Sequence, residues 1–442
     1  MVVSDSARLH KGIVSISENI KPVLLKEFAE YSGSYTKFVP ASGAASRMFK
    51  HLLNLDNVKS KSTRNFIENI SKAPFLEMLE AKCKEIYQKS LMELLADEKI
   101  KDILELLLSE KGLNYSQFPK GLIPFHKYEN KVKTAFQEHL SEAHYLFKNK
   151  LASEVHFTVT PNFKEKIKSH LENDIRALKG IKVSYSVQKP ESNTVSLTEN
   201  GKTLKNDLGE LILRPGGHGA LIYNLNEINS DIIFIKNIDN VVSEKRLEDH
   251  LRWKQILAGY LIRVQKELFD FQKSYGTVDF MVEKAIEFLE REFNQKCTKD
   301  DLKCKLFRPI RVCGMVKNEG EPGGGPYFVK NANGISLQIV ESAEIDKSSE
   351  SQLNIMNSSS HFNPVDIVCG VKRFDGEKYN LLEFVDENSY FVTDKSINNK
   401  SIKVLEMPGL WNGGMSDWNT VFVEVPKSTF SPVKSVNDLL VR

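Results

Sequence analysis

Ile232-Ile233-Phe234-Ile235-Lys236-Asn237-Ile238-Asp239-Asn240 decides the fold. Four consecutive bulky apolar residues make a strand buried on both faces, the kind found in parallel sheets covered by helices. The strand then runs into a carboxylate, Asp239. A carboxylate at a strand's carboxyl end is placed to hold Mg²⁺ against substrate phosphates, or to form an Asx turn or N-cap.

Outward from this run, strands alternate with helices. Lys37-Phe38-Val39, Val155 to Val159 and Ile181 to Val187 read as strands, and Asn162 to Ala177 and Phe136 to Phe147 as helices. Leu211-Ile212-Leu213 leads into a glycine loop and a further helix. Glu244 to Phe293 is helical, and Arg308 to Arg442 is rich in strands. This alternation implies an α/β fold with a mainly parallel sheet. Gly12 to Tyr31 has apolar residues at helical spacing, so 1–36 is expected to be an N-terminal helical segment broken at Pro22. The charged pattern from Phe49 to Leu113 predicts a helical insertion, 51–117. The core is expected over 37–295, with 296–442 as its β-rich half.

The chain has 442 residues, enough for roughly two to three domains or one large α/β domain. With 41% hydrophobic and 27% charged residues it has a globular composition. A net charge of +3 argues against a dedicated nucleic-acid binder. The 5 cysteines form no CxxC pair, which suggests neither a disulfide framework nor a zinc ribbon. No signal-like apolar region opens the chain, and no apolar run approaches the ~18 residues of a membrane span. A cytoplasmic protein with no membrane or nucleic-acid partner is expected. Oligomeric state stays open.

Ligands of open parallel sheets bind outside the carboxyl ends of the strands, so the loops there carry the candidates. Ser42-Gly43-Ala44-Ala45-Ser46-Arg47-Met48 has small side chains whose backbone N–H groups can approach a phosphate, or simply make a turn. It is not a Walker loop, because no Gly-Lys-Ser/Thr follows. Lys120 lies between Pro119 and Pro124, either a fixed point charge or a solvated lysine. Arg214-Pro215-Gly216-Gly217-His218-Gly219 permits close backbone contact with a flat or anionic ligand, glycine having no Cβ. Lys434 follows Pro432-Val433. Glu138, His139, Glu142 and His144 are not an HExxH motif and read as a helix face.

Taken in order, these segments resemble the UDP-sugar pyrophosphorylases, a branch of the sugar nucleotidyltransferases. Gly43 to Met48 resembles the family's G-x-G-T-R-[LM] loop, Pro119-Lys120 its Pro-Lys pair, and Pro215 to Gly219 its Pro-Gly-His-Gly segment. Asn237 to Asn240 is similar to its strand-end Asp-Asn. Phe430-Ser431-Pro432-Val433-Lys434 through Asp438-Leu439-Leu440 matches its Phe-x-Pro-Val-Lys-x-x-x-Asp-Leu-Leu signature. The first loop departs from the pattern in keeping one glycine, Gly43. The whole chain also resembles an uncharacterised bacterial family distantly related to these enzymes.

The resemblance implies a Rossmann-like, mixed, mainly parallel sheet of the nucleotidyltransferase (GT-A-like) type with helical insertions. It implies that an NTP, UTP first, reacts with a sugar-1-phosphate to give a nucleotide sugar and pyrophosphate. Arg47 would hold the β- and γ-phosphates, Lys120 the α-phosphate and Lys434 the sugar phosphate. Ser42, Gly43 and Ala44 would line the nucleotide, with Gln188, Gly217, His218 and Gly219 at the base. Glu341 and Asn363 would meet the sugar. Asp239 would carry Mg²⁺, with Asp366 as its second ligand. Two other functions fit the same residues: a sugar-nucleotide-binding protein without turnover, and a glycosyltransferase. The second ranks last, because the strand ends Asn237-Ile238-Asp239 rather than Asp-x-Asp.

Overall fold

Ile232 to Lys236 forms a strand whose every residue is buried, inside the central sheet of the protein. The structure is a computed structural model and describes residues 1–53, 60–320, 323–331, 333–397 and 400–441. In chain order the sheet contains β1 (Arg8–Leu9), β2 (Gly12–Val14), β3 (Tyr35–Pro40), β4 (Ser153–Thr158) and β5 (Ile181–Ser186). These are followed by β6 (Ile232–Lys236), β7 (Ile310–Lys317), β8 (Asp366–Gly370) and β9 (Asn419–Glu424). In space the order is β1-β2-β9-β7-β8-β6-β3-β4-β5. Neighbours run parallel except at β8, antiparallel to both β6 and β7, and at the short strand His361–Phe362, which pairs antiparallel with β7 off this path. The sheet is therefore mixed and mainly parallel, as the alternation of strands and helices predicts.

Alternate residues of these strands enter two cores, because successive strand side chains point to opposite faces. Ile232, Phe234, Tyr35, Val39 and Val368 join one core. It also holds Leu140 of helix α2 (Ala135–Leu146) and Ile256, Leu257 and Leu261 of helix α3 (Leu247–Ser274). Phe38, Ile233, Ile235, Cys313 and Ile367 enter the other, against Leu221, Leu225, Trp411 and Trp418.

The N-terminal segment differs from its expected helical form. Gly12–Val14 is a strand, with Ile13 paired to Phe422, and the helix starts only at Lys21. Pro22 sits in that helix's first turn, where its missing N–H costs nothing, so it begins the helix rather than breaking it. The insertion is helical over Lys61–Glu68, Leu76–Tyr87, Leu91–Ala96 and Ile100–Leu108; its residues 54–59 lie outside the described residues. Ser90 and Glu93 form a reciprocal capping box at one of these starts. The β-rich part adds two satellite sheets: Val2–Ser6 with Gly325–Asn331 and Gly334–Val340, and Asn193–Thr198 and Leu213–Pro215 with Phe391–Ile397 and Lys400–Glu406.

Candidate functional site

β3 and β6 are parallel neighbours, so the loops after them leave the same edge of the sheet together. The loop after β3 bonds to a distant segment. Ala45 N–H donates to Phe118 O at 2.9 Å and Lys120 N–H to Gly43 O at 2.9 Å. This short antiparallel bridge carries Lys120 across the helical insertion to the end of β6. There its Nζ lies 2.7 Å from Asp239 Oδ2.

The C-terminal segment docks on the same loop. Val433 N–H donates to Asp239 O at 3.0 Å, and Ser431 N–H to Asn240 Oδ1 at 2.9 Å. Asp438 Oδ2 accepts the N–H groups of Lys434 and Ser435, both at 2.7 Å, and so fixes the turn that presents Lys434. Val436 N–H reaches Met48 O at 3.1 Å, and Asn437 Nδ2 donates to Ser62 O of the insertion at 3.1 Å. Lys434 Nζ ends 3.7 Å from Asp239 Oδ2, the oxygen that Lys120 already holds.

Lys120 and Lys434 thus converge on one carboxylate oxygen of Asp239. The Lys120 and Asp239 side chains are only 14% and 12% exposed, while that of Lys434 is 52% exposed. Burial pulls the Lys120 ammonium below its ordinary pKa and the nearby Lys434 charge adds to this, while Asp239 opposes both. Arg47 is exposed at the end of the turn Ala45–Arg47. Ser42 is half-buried, Gly43 and Ala44 are exposed, and a methyl added at Gly43 would meet nothing within 4 Å. A cavity of about 340 Å³ opens beside the C-terminal segment, with Arg246, Ser431, Pro432 and Asp438 in its wall.

His218 and Glu341 form a second group. Leu410 N–H donates to His218 Nδ1 at 3.1 Å, which leaves the proton on Nε2, 3.7 Å from Glu341 Oε1. The imidazole stacks on Trp411 at 4.4 Å, and burial holds its pKa below the usual value. Gly217 has φ +75° and faces Glu406, and a Cβ on Gly219 would press into the Pro408 carbonyl. The freedom of these glycines is used by the chain's own 406–408 segment. Asn224 ties the following helix to the end of β5 through Ser186 and Val187. Beyond that strand, Gln188 Nε2 is buried with no hydrogen-bond partner among the described residues.

Asn363 and Asp366 are occupied within the protein. Asn363 donates to Gly314 O at 3.1 Å and accepts the Val365 N–H at 3.0 Å. Those bonds hold Val365 at φ +55°, a costly conformation for a β-branched residue. Asp366 is 3% exposed, with its Oδ1 2.6 Å from Lys254 Nζ. Its carboxylate, like that of Asp239, is paired with a lysine inside the protein. Among the described residues no group of three or more His, Cys, Asp or Glu is arranged to hold a metal ion.

The family described as "Domain of unknown function (DUF4301)" matches the chain over residues 1–442. The chain belongs to the DUF4301 family. No curated protein matches it. Solved structures similar to it include a point mutant of the UDP-glucose pyrophosphorylase of Leishmania major in complex with UDP-Glc. That similarity has 14% identity and a TM-score of 0.45, covering 99% of this chain and 69% of that one. The UDP-glucose phosphorylase of Trypanosoma brucei is similar at 14% identity and a TM-score of 0.40, covering 73% and 60%.

Beneath Asp239 this DUF4301 chain holds a buried charge cluster that the motifs do not reveal. Glu142 of α2 lies 2.9 Å from Lys37 Nζ, 3.1 Å from Lys236 Nζ and 3.5 Å from Lys254 Nζ. His250 contacts both Glu142 and Lys236. Burial drives Lys37 down to about 7 and Lys236 down to about 8. Burial also keeps His139 neutral, and its Nε2–H donates to Ile238 O at 3.2 Å, next to Asp239. The available signal was a lysine inside each of two apolar strands, since a buried ammonium must be paired. Among the described residues no helix is long and apolar enough to cross a membrane.

Proposed function

We propose that this chain is a nucleotidyltransferase that joins an NTP, UTP first, to a sugar-1-phosphate and releases pyrophosphate. One observation carries the reading: Lys120 and Lys434, from segments far apart in sequence, meet on Asp239 at the carboxyl edge of the sheet. Two ammonium groups and a carboxylate on one spot suit a polyphosphate and its cation.

In the reaction a sugar-phosphate oxygen attacks the α-phosphorus. The new O–P bond forms as the bond to the bridging oxygen breaks, and pyrophosphate leaves. Such a transfer needs in-line positioning and neutralised charge more than covalent help. Lys120 neutralises the α-phosphate and leaving group, Lys434 steadies the sugar phosphate, and Arg47 binds the β- and γ-phosphates with its bidentate fork. Gly43 and Ala44 leave room for the phosphates to approach the backbone. On this reading Gln188 and the Gly217–Gly219 turn would take the base, and Glu341 the sugar. The donor chemistry at Asp239 suits Mg²⁺, which takes one or two carboxylates and leaves its other positions to phosphate and water. When bound, Mg²⁺ supplies further charge neutralisation on the phosphates.

The test is pyrophosphate release by purified protein with Mg²⁺ and a matrix of NTPs and sugar-1-phosphates. Turnover with at least one pair is expected, and silence across the matrix contradicts the assignment. The internal pairing of Asp366 with Lys254 favours a second reading, a sugar-nucleotide-binding protein without turnover. Calorimetric binding of UDP-sugars together with that silence would select it.

A further inference from the structure

We propose that Asp239 serves in the substrate-free protein as a stand-in phosphate, holding Lys120 and Lys434 where a polyphosphate will take them, and that an incoming polyphosphate displaces it. The inference rests on the nucleotide-site reading above and adds a step to it. Both ammonium groups address the same oxygen, Oδ2, at 2.7 and 3.7 Å. A carboxylate oxygen and a phosphate oxygen are interchangeable acceptors for an ammonium group. Lys120 is largely out of water, where an ammonium group left unpaired would be costly, so it needs a counter-ion before substrate arrives.

Backbone hydrogen bonds tie the Lys120 segment to the Gly43 loop and the Asp239 loop to the segment carrying Lys434. The pair therefore parts by rotation of the long lysine stems, and the loops need not move. Asp438, the other carboxylate near Lys120, is already bonded to the N–H groups of Lys434 and Ser435, so Asp239 is the acceptor that has to yield. Once displaced, it stands beside a polyanion, and the arrangement then favours a cation between them. Asp239 thus opposes binding of the metal-free polyphosphate and assists binding of its metal complex.

The test is isothermal titration of inorganic tripolyphosphate and of UTP, in chelator and then in Mg²⁺. It uses the full chain, Asp239→Asn and Lys120→Met, each checked for folding by thermal melt. In chelator, Asp239→Asn is expected to bind both ligands about tenfold tighter than wild type, and Lys120→Met about tenfold weaker. In Mg²⁺ the gain in affinity should be large for wild type and small for Asp239→Asn. Asp239→Asn binding equally or more weakly in chelator, while wild type binds, overturns the stand-in role and leaves the nucleotide site standing. If neither protein binds either ligand, the nucleotide reading falls and the stand-in falls with it. Should Asp239→Asn not fold, a crystal of wild type with metal-free tripolyphosphate decides the matter. Lys120 Nζ moved from Asp239 onto a phosphate oxygen supports the proposal; Lys120 still on Asp239 with the ligand bound overturns it.

Discussion

Lys120 and Lys434 reach Asp239 on backbones fixed by hydrogen bonds, so each charge is preorganised before substrate binds. Removing one such group removes stabilisation of developing charge. Lys120→Ala should lower the rate of pyrophosphate release about 10²–10³-fold, as steady-state assays can check. Two glycines separate function from packing at this same scale. Gly219→Ala forces a methyl into the Pro408 carbonyl and should cost about 1–3 kcal/mol in a urea titration. Gly43→Ala meets open space and should change stability by less than about 0.5 kcal/mol, so an effect on nucleotide affinity there would report contact with ligand.

At the scale of elements, the buried cluster joins β3, β6, β8, α2 and α3 around Glu142. Glu142→Gln leaves three buried lysines with Asp366 as their remaining carboxylate and should destabilise the fold by about 3–5 kcal/mol. The cluster also sets a pH dependence. Lys37 near 7 and Lys236 near 8 bind fewer protons folded than unfolded, where lysine titrates near 10.5. The unfolded state therefore holds the extra protons above those values, and stability rises with pH. The urea midpoint should climb from pH 7 to pH 9, and Lys37→Met should flatten that climb.

Elements were legible where the signal is local. β6 follows from four adjacent apolar residues, and α2 from its apolar face. The strand Gly12–Val14 was misread because Ile13, Ile16 and Ile20 share a helical spacing, while its pairing with Phe422 lies at the other end of the chain. Asp366, in Asn363-Pro364-Val365-Asp366, reads as the second metal ligand. Its partner Lys254 sits on a helix that local pattern cannot place beside it.

For the whole molecule, the sheet interleaves strands from every part of the chain. β8, from the C-terminal part, lies between β6 and β7, and β2 lies beside β9. The site is distributed in the same way: the insertion and the C-terminal segment meet through Ser62 and Asn437, and both brace the turn carrying Lys434. Asn437→Ala, which removes the bonds to Ser62, should therefore weaken nucleotide binding in calorimetry while circular dichroism keeps its α/β signature, because no strand of the central sheet is touched. The convergence of distant loops on one carboxylate was readable only as an ordered set of motifs, whereas its geometry required the sheet order.

A crystal structure of the chain with UTP and Mg²⁺ bound would locate the nucleotide directly. The triphosphate should lie between the Gly43 loop, Lys120 and Lys434, with the cation on Asp239 and the base toward Gln188. A nucleotide bound elsewhere, with Lys120 still closed on Asp239, would contradict this placement.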